Sequence, residues 1–302
     1  MRLLTRNLPG KTQALQRAGR TLIPLCALSV TACLKSLVYP APDYPVPSPA
    51  PEPFQEIRLK PDAHTKIFAW EYVFPARPGI APRPNALYLH GNGENLGMLW
   101  KGGILEELAG LEVNLLVPDY PGYGRSTGTP SRTSLTAMGR VALKYMETVR
   151  PDSPRVLLGH SLGAAVALQI ASGEQANLAG MILISPFTTL RDVARLHFSR
   201  CLAGPAPLEN YDSRSIAREI KIPVLVLHGA RDRLIPPEQG LDLARNLAGP
   251  AEYIAYANAG HNDIVDAPET LERMRRFMEA IRRNHSPVTP GKGLNQDANH
   301  DS

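Results

Sequence analysis

A chain of 302 residues with 43% hydrophobic content can bury a core of ordinary size and has room for one large domain or two small ones. Its formal net charge of +5 does not argue for nucleic acid. Five of its 33 basic residues (Arg2, Arg6, Lys11, Arg17 and Arg20) fall within residues 1–32, which hold no Asp or Glu, and the remainder balances at 28 against 28. That basic segment leads into TLIPLCALSVTA, an apolar run too short for the ~20 residues needed to cross a bilayer. A basic start, a short apolar run and small residues at its end make up the anatomy of a secretory signal.

The run ends in Val30-Thr31-Ala32-Cys33, which resembles the bacterial lipobox, where a small residue precedes a cysteine that is lipidated and becomes the new N-terminus. The resemblance implies lipid on Cys33, removal of residues 1–32 and a protein anchored in the bacterial cell envelope. Because Leu34 and not aspartate follows the cysteine, it also implies the outer membrane, facing the periplasm. An ordinary secretory signal or an uncleaved anchor is the alternative. Cys26 would leave with the signal, so Cys201 has no intrachain disulfide partner and is expected to be inert. Residues 40–53, PAPDYPVPSPAPEP, predict an extended polyproline II spacer without core-forming residues, so that residues 33–53 form a tether holding a domain off the membrane. The tail from residue 284 lacks periodicity and reads as disordered.

Between tether and tail, residues 54–283 alternate short β-rich runs with longer helical ones. Strands are predicted near 56–60, 66–73, 86–90, 113–118, 155–159, 180–185, 222–228 and 252–256. Helices are predicted near 96–109, 133–150, 162–172, 188–200, 237–247 and 267–283. Such alternation gives an α/β fold with a mainly parallel eight-stranded sheet and helices on both faces. VLLG, MILIS and VLVLH are apolar on both faces, as buried parallel strands must be. The first two strands could pair antiparallel. Working residues are then expected on loops at the carboxyl ends of the strands.

The loop after ALYLH carries Gly91, Gly93 and Gly97, spaced G-x-G-x-x-x-G. A dinucleotide fingerprint needs G-x-G-x-x-G, so the purpose of this loop has to be sought in the others. After RVLLG comes Gly159-His160-Ser161-Leu162-Gly163, a G-x-S-x-G between a strand and an alanine-rich helix. A nucleophile elbow requires this arrangement, with small residues two before and two after the serine so that strand and helix can approach. Ser161 is the expected nucleophile. Its hydroxyl needs a base, and the base an acid to fix its tautomer, in the chain order Ser, Asp or Glu, His. Asp232 follows the strand PVLVLH, and His261 follows EYIAYANA. His197 is the rival base but sits in a predicted helix. Asp263 is the rival acid, with capping of the final helix as its alternative role. Carbonyl attack creates an oxyanion that needs preorganised donors, and these are assigned to the main-chain N–H groups of Leu162 and Asn92, the second in the glycine loop. His90 is expected to be structural, and Asn95 to cap the following helix.

The combination HGNGEN, DYPGYGRSTG, GHSLG, HGARDRLIP and GHND resembles the α/β-hydrolase superfamily over residues 56–283. It is most similar to the group containing serine aminopeptidase-like hydrolases, monoacylglycerol lipases and membrane-associated acyl-protein thioesterases. The resemblance implies that Asp119 and Tyr120 are scaffold beside the site. It also places any cap between Pro186 and Ile222, a segment too short for a large one, which leaves an open site. Phe187, Leu190, Val193 and Phe198 would border that site if their helix packs above the elbow, or be plain core. The expected function is hydrolysis of carboxylic esters or thioesters through an acyl-enzyme on Ser161, by a monomer acting on small-molecule or acylated substrates. No metal or organic cofactor is needed for that chemistry. A serine aminopeptidase-like peptidase is the alternative, and a non-catalytic envelope binding module a weaker one.

Overall fold

The computed structural model describes residues 38–75, 79–197, 209–265 and 267–285. Cys33, Phe198 and Cys201 lie outside the described residues, as does the tail beyond residue 285. Eight strands form one sheet: β1 (Gln55–Leu59), β2 (Ile67–Tyr72), β3 (Asn85–Leu89), β4 (Asn114–Pro118), β5 (Arg155–His160), β6 (Gly180–Ile184), β7 (Val224–Gly229) and β8 (Ala251–Tyr256). Their spatial order is β1-β2-β4-β3-β5-β6-β7-β8. β1 pairs antiparallel with β2, and β2 with β4, while every later pairing is parallel.

The helices are α1 (Leu96–Lys101), α2 (Ile104–Ala109), α3 (Arg132–Val149), α4 (Leu162–Glu174), α5 (Leu190–His197), α6 (Ser213–Ala217), α7 (Pro237–Asn246) and α8 (Pro268–Asn284). Period-two alternation divides the central strands between two cores. Leu87, Leu89, Leu157, Met181, Leu183, Val224 and Val226 pack on one face with α3, α4, α6 and α7. Ala86, Tyr88, Val156, Leu158, Ile182, Ile184, Leu225 and Leu227 pack on the other with α1, α2 and α8. Both faces of these strands are buried, which is why their sequences read as unbroken apolar runs.

Two elements differ from the sequence reading. The helix expected over 96–109 is two short ones, broken at Gly102-Gly103, where loss of helix propensity is greatest. The short α6, capped by the Asp212 side chain accepting from Ser215 N–H, was not expected, because five residues carry too little periodicity.

The expected spacer also departs from the reading. From Val38 onward it is laid against the domain as a strap. Val38 and Tyr39 are buried in the same core as Leu89, Tyr120, Leu162 and Phe187. Proline-rich chain has few N–H groups to donate, so its free carbonyls take donors from the domain. Asn92 Nδ2 donates to Val38 O at 2.9 Å and Asn95 Nδ2 to Tyr44 O at 2.8 Å. Gly97 makes the approach possible, since a Cβ there would lie 2.1 Å from Pro45 O.

Candidate functional site

Ser161 sits between β5 and α4 with φ 53° and ψ −113°, a backbone conformation rarely taken by a residue with a side chain. The turn is held by Ser161 N–H donating to Ile184 O at 2.9 Å. Both flanking glycines are forced by proximity. A Cβ on Gly159 would lie 2.4 Å from Gly163 O, and one on Gly163 would lie 1.8 Å from Leu89 O. The strain of the turn lifts the Ser161 hydroxyl to the carboxyl end of the sheet.

The loops after β7 and β8 bring Asp232 and His261 to it. His261 Nε2 lies 3.0 Å from Ser161 Oγ, and its Nδ1 lies 2.7 Å from Asp232 Oδ2. Asp232 is buried, and its Oδ1 accepts from the N–H groups of Leu234 (2.9 Å) and Ile235 (2.8 Å). Burial opposes ionisation of this carboxyl, yet hydrogen bonds from His228, His261 and Ile235 N–H outweigh it and hold the group far below the usual carboxylate range. A fixed negative charge thus faces Nδ1, which favours a proton there and leaves Nε2 free to accept from Ser161.

His228 is a residue that sequence reasoning passed over as the end of a strand. Its ring is fully buried, with Nε2 3.0 Å from Ile235 O and 3.2 Å from Asp232 Oδ2. One N–H is shared between those acceptors, so Asp232 is gripped by two imidazoles. Only the four-residue spacing of His228 and Asp232 hinted at this. His160, inside the elbow, is also buried and donates from Nε2 to the carbonyl of His261 at 3.0 Å, joining the elbow to the base loop.

Opposite stands the glycine loop after β3. The Asn92 side chain donates to Val38 O and accepts from Tyr123 Oη at 3.1 Å. Tyr120 Oη donates to His90 O at 2.6 Å, and Gly91 N–H donates to Glu94 Oε2 at 2.7 Å. Among the described residues no hydrogen bond uses the main-chain N–H of Asn92 or of Leu162. His90 is buried against Tyr120, with its Nδ1 2.9 Å from Gly91 O. Asp119 accepts from Leu96 N–H at 2.8 Å, and Asn95 caps α1 by accepting from Met98 N–H.

The two rivals are engaged elsewhere. His197 Nε2 bonds Leu234 O at 2.7 Å, and Asp263 Oδ1 accepts from Gly260 N–H at 2.6 Å. Asp263 therefore braces the loop of the base and is not the cap of α8, whose N-cap is Ala267. Phe187 is buried core, with Leu190 and Val193 packed beside it.

A family profile described as "Alpha/beta hydrolase family" matches residues 86–218, a span that includes the elbow. Alpha/beta hydrolase domain-containing protein 17B of Xenopus tropicalis is 31% identical over 202 residues, 65% of this chain and 67% of that protein. The chain belongs to the alpha/beta hydrolase family. Protein bem46 of Schizosaccharomyces pombe is 29% identical over 242 residues, 76% of this chain and 80% of its own length. Among solved structures, the esterase Pf2001 of Pyrococcus furiosus superposes with a TM-score of 0.63 at 17% identity, covering 81% of this chain and 97% of that one, a likeness of fold.

Proposed function

We propose that this alpha/beta hydrolase cleaves carboxylic esters or thioesters through an acyl-enzyme on Ser161. The observation that carries the reading is the continuous path from Ser161 Oγ through His261 to Asp232, at 3.0 and 2.7 Å. Oγ attacks the carbonyl carbon while His261 Nε2 takes its proton. The oxyanion that forms is met by the main-chain N–H groups of Leu162 and Asn92. His261 then returns the proton to the departing alkoxide or thiolate, leaving the acyl group on Ser161. Water, activated by the same imidazole, releases the acid. Asp232 stays ionised throughout and stabilises the imidazolium. The esterase named among the structural neighbours is consistent with this substrate class.

We propose further, from the lipobox-like Val30-Thr31-Ala32-Cys33 and the Leu34 after it, that lipid on Cys33 holds the protein in a bacterial envelope, at the outer membrane. A fluorophosphonate probe tests the chemistry. It should label the wild-type protein on Ser161 and fail with Ser161→Ala, and a panel of p-nitrophenyl esters and acyl thioesters should be turned over only by the former. Labelling at another residue, or turnover by Ser161→Ala above a few per cent of wild type, would overturn the assignment.

A further inference from the structure

With an anchor at Cys33, the strap limits how far the site can stand from it. Its first described residue, Val38, is hydrogen-bonded to Asn92, the residue assigned to the oxyanion hole. Cys33 precedes Val38 by five residues, and five residues of fully extended chain reach at most about 18 Å. If the apolar run ending at Ala32 were retained as the anchor, the reach would grow by a single residue. The proline-rich stretch cannot lift the domain away, because it follows Val38, whose carbonyl is bonded to Asn92, and its own Tyr44 carbonyl is bonded to Asn95.

Exposed apolar side chains lie on the same edge. Tyr44 belongs to the strap, and Met98 lies on α1 beside it. On the other lip Leu234 donates its N–H to the catalytic Asp232 and accepts His197 on its carbonyl, next to exposed Leu196. Val73, Ile80 and Val149 are exposed at the opposite end of the strands, where Phe74 N–H bonds Asn114 at the start of β4.

We propose that the edge bearing Tyr44, Met98, Leu196 and Leu234 rests on the bilayer that holds the anchor, so that Ser161 opens toward the lipid surface and takes acyl esters presented there. The proposal rests on the anchoring reading above and adds the orientation and the source of substrate. A short connection keeps the site at high effective concentration over that surface, which would make a mobile lid unnecessary.

The test uses the full chain, extracted in detergent and reconstituted into phosphatidylethanolamine–phosphatidylglycerol vesicles. Met98→Cys and Val149→Cys, each in a Cys201→Ser background, carry an environment-sensitive fluorophore. Lipid with a nitroxide headgroup should quench the Met98 probe at least threefold more strongly than the Val149 probe. Equal quenching, or stronger quenching at Val149, overturns the orientation. Uptake of labelled palmitate by the producing cells and flotation of the protein with vesicles are measured alongside. If both are absent, the anchoring reading falls and takes the orientation with it; if flotation persists without preferential quenching, the orientation alone falls. A second variant, with twenty Gly/Ser residues inserted between Lys35 and Ser36, should hydrolyse a bilayer-held ester about tenfold more slowly and a soluble ester at the wild-type rate. No difference on the bilayer-held ester would also overturn the proposal.

Discussion

Asp232 is held by N–H groups two and three residues further along its own loop, whereas Asn92 is held by chain from 54 residues before it and 31 residues after it. The Asp232 carboxyl is therefore fixed in part by a tight local turn, and the Asn92 side chain entirely by distant pieces of chain meeting on a glycine loop. The same contrast appears in two buried carboxyls. Around Asp232 enough donors converge to outweigh burial and keep it charged. Around Asp119 burial prevails over the N–H groups of Leu96 and Arg125, and its pKa is raised to about 7. A charge is maintained where the proposed chemistry needs one and disfavoured where the carboxyl braces the start of α1 and the Arg125 loop.

The largest effect should come from breaking the base side at its centre. Asp232→Asn should lower kcat by about 10⁴ through loss of the correct His261 tautomer, with the fold retained. Asp263→Asn, which loosens only Gly260, should lower it far less. Steady-state kinetics on one soluble ester decides the ranking, and the reverse order would exchange the two roles.

On the other side, the strap can be removed whole. A chain beginning at residue 54 lacks Val38 and Tyr39, and burial of each such side chain contributes about 1.5–3 kcal/mol. Its urea midpoint and its kcat/KM should both fall well below those of a chain beginning at residue 38. Two chains of equal stability and activity would mean that the strap is an ornament of the surface.

The second imidazole offers a finer cut. A hydrogen bond to a charged group contributes about 1.5–3 kcal/mol, so His228→Asn should slow turnover by roughly tenfold or more. Because the Asp232 charge that this donor shared then acts more fully on the His261 imidazolium, the acid limb of the pH–rate profile should move to higher pH. A merely structural residue would lower activity without moving that limb.

The smallest effect separates the two carboxyls by their opposite linkage. Asp232, with its pKa depressed, contributes stability above the unfolded value of about 4 and loses it as pH falls below that. Asp119 binds more protons folded than unfolded between about 4 and about 7, so its contribution to stability declines as pH rises through that window. Unfolding free energies of wild type and Asp119→Asn, measured by urea titration across that range, should therefore converge toward acid pH and diverge, in favour of the variant, toward pH 7. Parallel curves would show that Asp119 ionises in the folded protein like an exposed carboxyl.

By itself, the sequence determined whatever rests on local geometry. An elbow is a strand, a strained turn and a helix within a dozen residues, so Gly159, Ser161 and Gly163 declare it without reference to the rest of the chain. The positions of Asp232 and His261 were legible because a parallel sheet delivers successive loops to one edge, and the order of the loops along the chain is enough to rank the candidates. Strands buried on both faces announced themselves as unbroken apolar runs. Only the tertiary structure decided how the glycine loop is held. Proline-rich chain reads as a solvated spacer because its composition lacks core-forming side chains, and nothing in that composition tells that its carbonyls will meet Asn92 and Asn95, or that Gly97 will leave the room. The grip of His228 on Asp232 was hidden for a similar reason: four residues apart outside a helix, two side chains meet only if the intervening turn folds back, and that depends on acceptors and donors supplied across the loop.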